Sequence, residues 1–164
     1  PTDAVKNLKA QEDVILEKMG NIDRRLTGIK IIMGTTDVHE FGKQLLKNIV
    51  LQADATVIDL GTSIGTAEIL DAVVETESKI IIISTYNGIA YSYAKKLLDG
   101  LKSKGLDHIK IIMGGFLNEN LDNSELAEDV SGKLRELGVN ADNKAEKIVD
   151  IIHACLENGS LKES

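Results

Sequence analysis

The sequence has a single cysteine, Cys155, a single proline, Pro1, and no tryptophan. One cysteine excludes a disulfide within the chain and is typical of the reducing cytoplasm. No apolar run reaches the ~20 residues that a transmembrane helix needs. The first residues also lack the basic and apolar regions of a signal peptide. We therefore expect a cytoplasmic protein that does not cross a membrane.

Positive charge is also scarce, with 19 lysines and arginines against 26 acidic residues and a net charge of −7. Proteins that bind nucleic acid need a basic face, because contacts to phosphates supply much of the affinity. The composition therefore predicts no nucleic-acid partner. A length of 164 residues, 43% of them hydrophobic, is typical of about one domain with a real core.

Aromatic side chains are few but concentrated near the motifs described below. The chain has five: Phe41, Tyr86, Tyr91, Tyr93 and Phe116. They either cap the end of a sheet or pack against a large flat ligand, and position alone leaves both interpretations open.

The sequence does contain aliphatic runs that alternate with segments of helical periodicity. The predicted strands lie near residues 29–34, 55–60, 79–84, 109–114 and 139–141. The predicted helices lie near residues 40–52, 65–76, 89–104, 123–137 (capped by Asn123 or Ser124) and 143–157. Strands that are aliphatic on both faces are typical of a parallel sheet with helices on each side. The pattern predicts a flavodoxin-like (Rossmann-like), doubly wound α/β fold with strand order 2-1-3-4-5.

The segment before the first strand has an apolar stripe at helical spacing. Its members are Val5, Leu8, Ile15, Met19, Ile22 and Leu26. We interpret residues 1–27 as a helical extension, which packs either on the domain or on a partner subunit, and residues 28–158 as the domain.

Three predicted strands end in unusual residues. The first is followed by Asp37-Val38-His39-Glu40-Phe41-Gly42, the third closes with Ser84-Thr85-Tyr86, and the fourth closes with Gly114-Gly115. Open α/β sheets bind ligands at the carboxyl ends of their strands, and this strand order places these three loops side by side. Taken alone, the first stretch is also compatible with a surface loop in which Asp37 caps a helix and His39 is solvated.

The three stretches together resemble the cobalamin-binding family, whose motifs are Asp-x-His-x-x-Gly, Ser-x-Leu and Gly-Gly. The resemblance covers roughly residues 28–140, and one position departs from it, because Tyr86 stands where the family usually has Leu. It implies that His39 binds cobalt in place of the cofactor's own dimethylbenzimidazole. Imidazole suits first-row transition metals, and a carboxylate such as Asp37 on the other ring nitrogen fixes the tautomer.

The resemblance also implies how the displaced nucleotide tail is held. Gly42 leaves room for the tail, Ser84 bonds its base, and the two glycines after the fourth strand let it approach the backbone. The implied cofactor-binding set is Asp37, His39, Gly42, Gly61, Ser63, Ser84, Tyr86, Gly114, Gly115 and Phe116, with His39 as the metal ligand and no catalytic residue.

The function that the resemblance favours is that of the cobalamin-binding subunit of an adenosylcobalamin-dependent mutase, similar to the small subunit of glutamate mutase. Such a subunit is inactive alone and works with a barrel-type catalytic subunit. Two alternatives stay open: a corrinoid carrier for methyl transfer, which uses methylcobalamin, and a non-catalytic cobalamin carrier or sensor. After the last strand, Asn140-Ala141-Asp142-Asn143 replaces the Pro-Gly-Thr turn of the glutamate-mutase-like subunits.

Overall fold

A five-stranded parallel sheet organises the chain, whose structure is a computed structural model. The structure describes residues 24–115, 117–119, 128–142 and 144–163, together with positions 6, 9, 10, 13 and 14. The strands of the main sheet are β1 (Lys30–Thr35), β2 (Thr56–Asp59), β3 (Ile80–Thr85), β4 (Lys110–Gly115) and β7 (Asn140–Ala141). Their order is β2-β1-β3-β4-β7, which confirms the predicted doubly wound topology.

Helices cover both faces of this sheet. They are α1 (Phe41–Gln52), α2 (Thr66–Thr76), α3 (Ala90–Ser103), α4 (Ser131–Glu136) and α5 (Ile148–Glu163), the last preceded by a 3₁₀ turn at Ala145–Lys147. Successive strand residues point to opposite faces. In β3, Ile81 and Ile83 therefore pack with α2 and α3, whereas Ile80 and Ile82 pack with α1 and α5.

The register of the three central strands sets the position of the motif loops. Thr35 pairs with Ser84, Ser84 pairs with Gly114, and Thr85 pairs with Gly115. The strands β1, β3 and β4 therefore end at the same level, and the three loops leave the same edge of the sheet.

The predicted helix over residues 123–137 is wrong at its start. Glu128–Asp129 forms a strand, β6, which pairs antiparallel with β5 (Asn118–Glu119), and the helix begins only at Ser131. Val130 donates its amide to the carbonyl of Leu117 at 2.8 Å, and Asp129 accepts the amide of Ser131 at 2.8 Å. The N-cap residue is Val130, which makes no side-chain cap hydrogen bond, and the predicted caps Asn123 and Ser124 lie outside the described residues. The last helix also begins later than predicted, at Ile148.

Most of the apolar stripe before β1 lies outside the described residues. Leu26 is an exception: it is fully buried in the core between the sheet, α1 and α5, and lies in a turn rather than a helix. Its amide donates to the carbonyl of Ala53 at 3.0 Å. The proposed division at residue 27 stays a prediction. In the described part of the chain, no helix is both long enough and apolar enough to cross a bilayer.

Candidate functional site

The loops that follow β1 and β3 are joined by hydrogen bonds at the edge of the sheet. The amide of Thr36 donates to the carbonyl of Ser84 at 3.1 Å. The Thr36 hydroxyl lies 2.7 Å from the Thr85 hydroxyl and 2.9 Å from Asn87 Oδ1. Thr36, Thr85 and Asn87 could not be singled out from the sequence, because small polar residues after a strand are common in loops. Their network holds the two loops in one arrangement.

The Asp37 carboxylate lies between these two loops and is nearly buried, with 8% of its side chain exposed. Its Oδ2 accepts the amide of Tyr86 at 2.6 Å, and its Oδ1 accepts the amide of His39 at 2.9 Å. Burial acts to raise the pKa of Asp37, but the two amides and the His39 ring outweigh it and hold the pKa below its ordinary value. Asp37 is therefore a carboxylate whose negative charge is directed at His39.

His39 presents one ring nitrogen to Asp37 and the other away from it. Nδ1 lies 3.2 Å from Asp37 Oδ1, while 62% of the His39 side chain is exposed. Among the described residues, Nε2 has no hydrogen-bond partner. The neighbouring side chains of Val38 and Phe41 are also exposed.

This donor set fits cobalt held in a corrin ring. The described residues contain no group of three or more His, Cys, Asp or Glu side chains that could form a protein-only metal site. A single imidazole held by a carboxylate is instead suited to a metal whose other ligands come from a macrocycle. The exposed Nε2 of His39 is the atom available for that bond.

Tyr86 covers Gly42 at the first turn of α1. The Tyr86 hydroxyl would lie 2.6 Å from a Cβ placed on Gly42, and its ring centroid lies 5.6 Å from that of His39, with the planes tilted by 50°. Burial and the nearby charge of Asp37 raise the pKa of Tyr86, so its hydroxyl stays protonated at neutral pH. The structure therefore brings Asp37, His39, Gly42 and Tyr86 together.

Ser84 lies at the same edge and is 2% exposed. Within the described part of the chain its hydroxyl has no hydrogen-bond partner, which leaves it available to a ligand.

The glycine at position 115 is explained by packing within the sheet. Its φ is +107°, and a Cβ there would lie 2.2 Å from the carbonyl oxygen of Thr85. Close packing of β4 against β3 therefore requires glycine, whatever Gly114 and Gly115 do toward a cofactor.

The loop after β2 also reaches this edge. The carbonyl of Gly61 accepts the amide of Thr35 at 3.0 Å, and the amide of Ser63 donates to the carbonyl of Asp37 at 2.9 Å. Both Gly61 and Ser63 have positive φ, +90° and +51°. Contact of these residues with a cofactor stays a prediction. The predicted site residue Phe116 lies outside the described residues.

A buried ion cluster, which the sequence did not reveal, lies behind the site. Lys43, only 1% exposed, donates to Asp59 at 2.8 Å and to Glu40 at 3.3 Å. Asp59 also accepts from Lys47 at 3.0 Å and from the amide of Gly61 at 2.9 Å. Burial acts to raise the pKa of Asp59, but the two lysines and the Gly61 amide lower it to about 2. The cluster ties the first turn of α1 to the loop after β2.

Asp37→Asn is expected to weaken cobalamin binding about 10–100-fold, the range for changes to a group that orients a metal ligand. The side-chain NH₂ that this substitution introduces must also face the N–H of either Tyr86 or His39, which is expected to cost roughly 1–3 kcal/mol of stability. Binding is measured by titration with hydroxocobalamin well below the midpoint of unfolding.

Thr36→Val is the matched control for Asp37→Asn. The Thr36 hydroxyl lies 2.7 Å from the Thr85 hydroxyl and 2.9 Å from Asn87 Oδ1, so it supports the same loops without a hydrogen bond to the Asp37 carboxylate or the His39 ring. If Thr36→Val lowers affinity as much as Asp37→Asn, loop order rather than the carboxylate governs binding.

Known proteins resemble this chain over the residues that form the site. A family model described as the B12 binding domain matches residues 29–132. The glutamate mutase sigma subunit of Carboxydothermus hydrogenoformans is 26% identical over 91 residues, which are 54% of this chain and 66% of that protein. A corrinoid protein of Desulfitobacterium hafniense, DSY3155, is 30% identical over 118 residues, which are 70% of this chain and 55% of that protein. The chain thus spans less than two thirds of the length of either curated relative.

A solved structure shares the fold. A cobalamin-binding protein from Desulfitobacterium hafniense DCB-2 superposes with a TM-score of 0.68 at 22% identity, covering 92% of this chain and 70% of that one. The similarity of the folds extends beyond the residues that the family model matches.

Proposed function

Because the chain belongs to the B12 binding domain family, we propose that it holds cobalamin through His39 and presents the cofactor to a separate catalytic protein. The observation that carries this proposal is the His39 ring, whose Nδ1 faces the buried Asp37 carboxylate while its Nε2 is available to cobalt. Bound cobalamin supplies the cobalt–carbon chemistry, which no amino-acid side chain provides.

The side chains of the site position the cofactor. Asp37 fixes the His39 tautomer, and its negative charge makes Nε2 a stronger donor to the metal. Ser84 offers a hydroxyl to the displaced base, and Val38 and Phe41 offer apolar surface beside His39. The proposed role is that of a carrier, inactive alone, with substrate bound by a barrel-type partner subunit.

For the use of the cofactor, we favour the role of a corrinoid carrier, for which the family resemblance implies methyl transfer, over the mutase role that the sequence favoured. The support is the length of the corrinoid-protein match, which covers 70% of this chain at 30% identity, against 54% at 26% for the sigma subunit. The mutase role is the second candidate, because the chain spans more of the sigma subunit, 66%, than of the corrinoid protein, 55%.

The ligation of cobalt is tested by electron paramagnetic resonance of the Co(II) form. Protein labelled with nitrogen-15 histidine is loaded with cobalamin of natural isotope content and compared with unlabelled protein. Coordination by His39 is expected to change the nitrogen superhyperfine pattern from triplets to doublets. An unchanged pattern means that the lower ligand comes from the cofactor or from water.

The methyl-transfer role and the mutase role are distinguished by the group bound to the upper face of cobalt. The protein is isolated from its native cells without oxygen and under dim red light, and the bound corrinoid is identified by mass spectrometry. A methyl group is expected, whereas an adenosyl group would favour the mutase role.

A further inference from the structure

The side chain of Tyr86 fills the hollow that Gly42 leaves at the first turn of α1. The three atoms nearest to a Cβ placed on Gly42 all belong to Tyr86: the hydroxyl at 2.6 Å and two ring carbons at 3.6 and 3.7 Å. The same ring lies beside His39, at 5.6 Å between centroids. Tyr86 therefore closes the space between His39 and the start of α1.

The backbone of Tyr86 is anchored independently of its side chain. The amide of Tyr86 is held by Asp37 at 2.6 Å, and the preceding residues pair with β1 and β4. Rotation about χ1 of this half-buried tyrosine leaves these backbone bonds intact. The hollow at Gly42 is therefore closed in the structure by a single side chain.

Cobalamin chemistry makes this hollow relevant to binding. The nucleotide of cobalamin is attached on the lower face of the corrin, so a cobalamin whose cobalt is bound by His39 would have to place its displaced base on the His39 side of the ring. On the Gly42 side of His39, that space holds the Tyr86 ring. A corrinoid without a nucleotide has no such group to place.

We propose that Tyr86 determines which corrinoids the site accepts, by closing the space beside His39 against those that carry a bulky lower nucleotide. This inference rests on the proposed function. Cobalamin binds only when Tyr86 has turned away, whereas cobinamide, which lacks the nucleotide, binds His39 with Tyr86 in place. The apparent affinity for cobalamin is reduced by the fraction of molecules in which Tyr86 has turned away, about tenfold if that fraction is about one tenth.

The test compares wild type, Tyr86→Phe and Tyr86→Leu in stopped-flow binding of cobalamin and of cobinamide. Leu shortens the side chain and empties the hollow, so association of cobalamin is expected to become about tenfold faster. Phe removes only the hydroxyl, the atom nearest to Gly42, and is expected to give an intermediate rate. Association of cobinamide should stay within about twofold in both variants, since its binding does not need the hollow.

Three outcomes overturn the inference. If neither variant changes the association of cobalamin, Tyr86 does not close the space. If both corrinoids accelerate in parallel, Tyr86 acts on His39 rather than on the nucleotide. If wild type binds neither corrinoid, the proposed function fails and this inference fails with it. Tyr86→Phe retains the ring and therefore the packing, so the comparison holds even where Tyr86→Leu is destabilised.

Discussion

His39→Ala is expected to weaken cobalamin binding at least ~100-fold, beyond the upper end of the range for residues that only orient a metal ligand. It should hardly change stability, because 62% of the His39 side chain is exposed, and substitutions at such positions usually change it by no more than about 0.5 kcal/mol. Affinity is measured by titration with hydroxocobalamin, and stability by urea unfolding without cofactor.

The chain offers a matched control for His39→Ala. His153 lies on α5, with Nδ1 3.4 Å from Glu157, so it is also an exposed histidine paired with a carboxylate. His153→Ala should leave cobalamin affinity unchanged. Equal loss of affinity in both variants, or none in His39→Ala, would remove His39 from the metal.

The sequence predicted the fold well because the signals are repeated along the chain. The aliphatic runs of β1, β3 and β4 are buried on both faces, as is typical of a parallel sheet between helices. The Asp37–His39 pair was also predictable, since two side chains in a short loop interact locally. The hairpin of β5 and β6 was not, because its two-residue strands are too short to show a periodicity of two.

The contacts between motifs could not be read from the sequence. Nothing in the position of Tyr86 shows that its hydroxyl lies against Gly42, 44 residues away in the chain. Likewise, Gly115 is needed for its approach to Thr85, a reason that differs from the one the motif gives. Membership in a motif therefore does not reveal the packing contacts in which a residue takes part.

The burial of Lys43 is another feature that the sequence does not reveal, and it leads to a prediction about stability. Nothing in the sequence around Lys43 shows that its side chain is buried. Among the described residues, its only carboxylate partners are Asp59 and the exposed Glu40. Asp59→Asn leaves the ammonium of Lys43 buried with Glu40 alone. Breaking a buried pair in this way is expected to cost about 3 kcal/mol of unfolding free energy at pH 7.

Two further variants separate the buried pair from ordinary surface charge. Asp150→Asn removes an exposed pair with Arg25, in which both side chains are about half exposed or more, and should cost less than about 1 kcal/mol. The double variant Lys43→Met with Asp59→Asn removes both buried charges and should regain much of the loss. Urea unfolding followed by circular dichroism measures all three. A double variant less stable than Asp59→Asn alone contradicts this account.

The pH dependence of the unfolding free energy tests independently whether the negative charge of Asp59 stabilises the fold. The pKa of Asp59 in the folded chain is lowered to about 2, below its ordinary value, because the two lysines and the Gly61 amide outweigh the effect of burial. A depressed pKa means that the carboxylate stabilises the fold fully above about pH 4 and loses this contribution as the pH falls toward 2. The difference in unfolding free energy between wild type and Asp59→Asn should therefore become smaller as the pH falls from about 4 to about 2. A difference that stays constant from pH 5 to about 2 would show that the charge of Asp59 is not what holds α1 to the loop after β2.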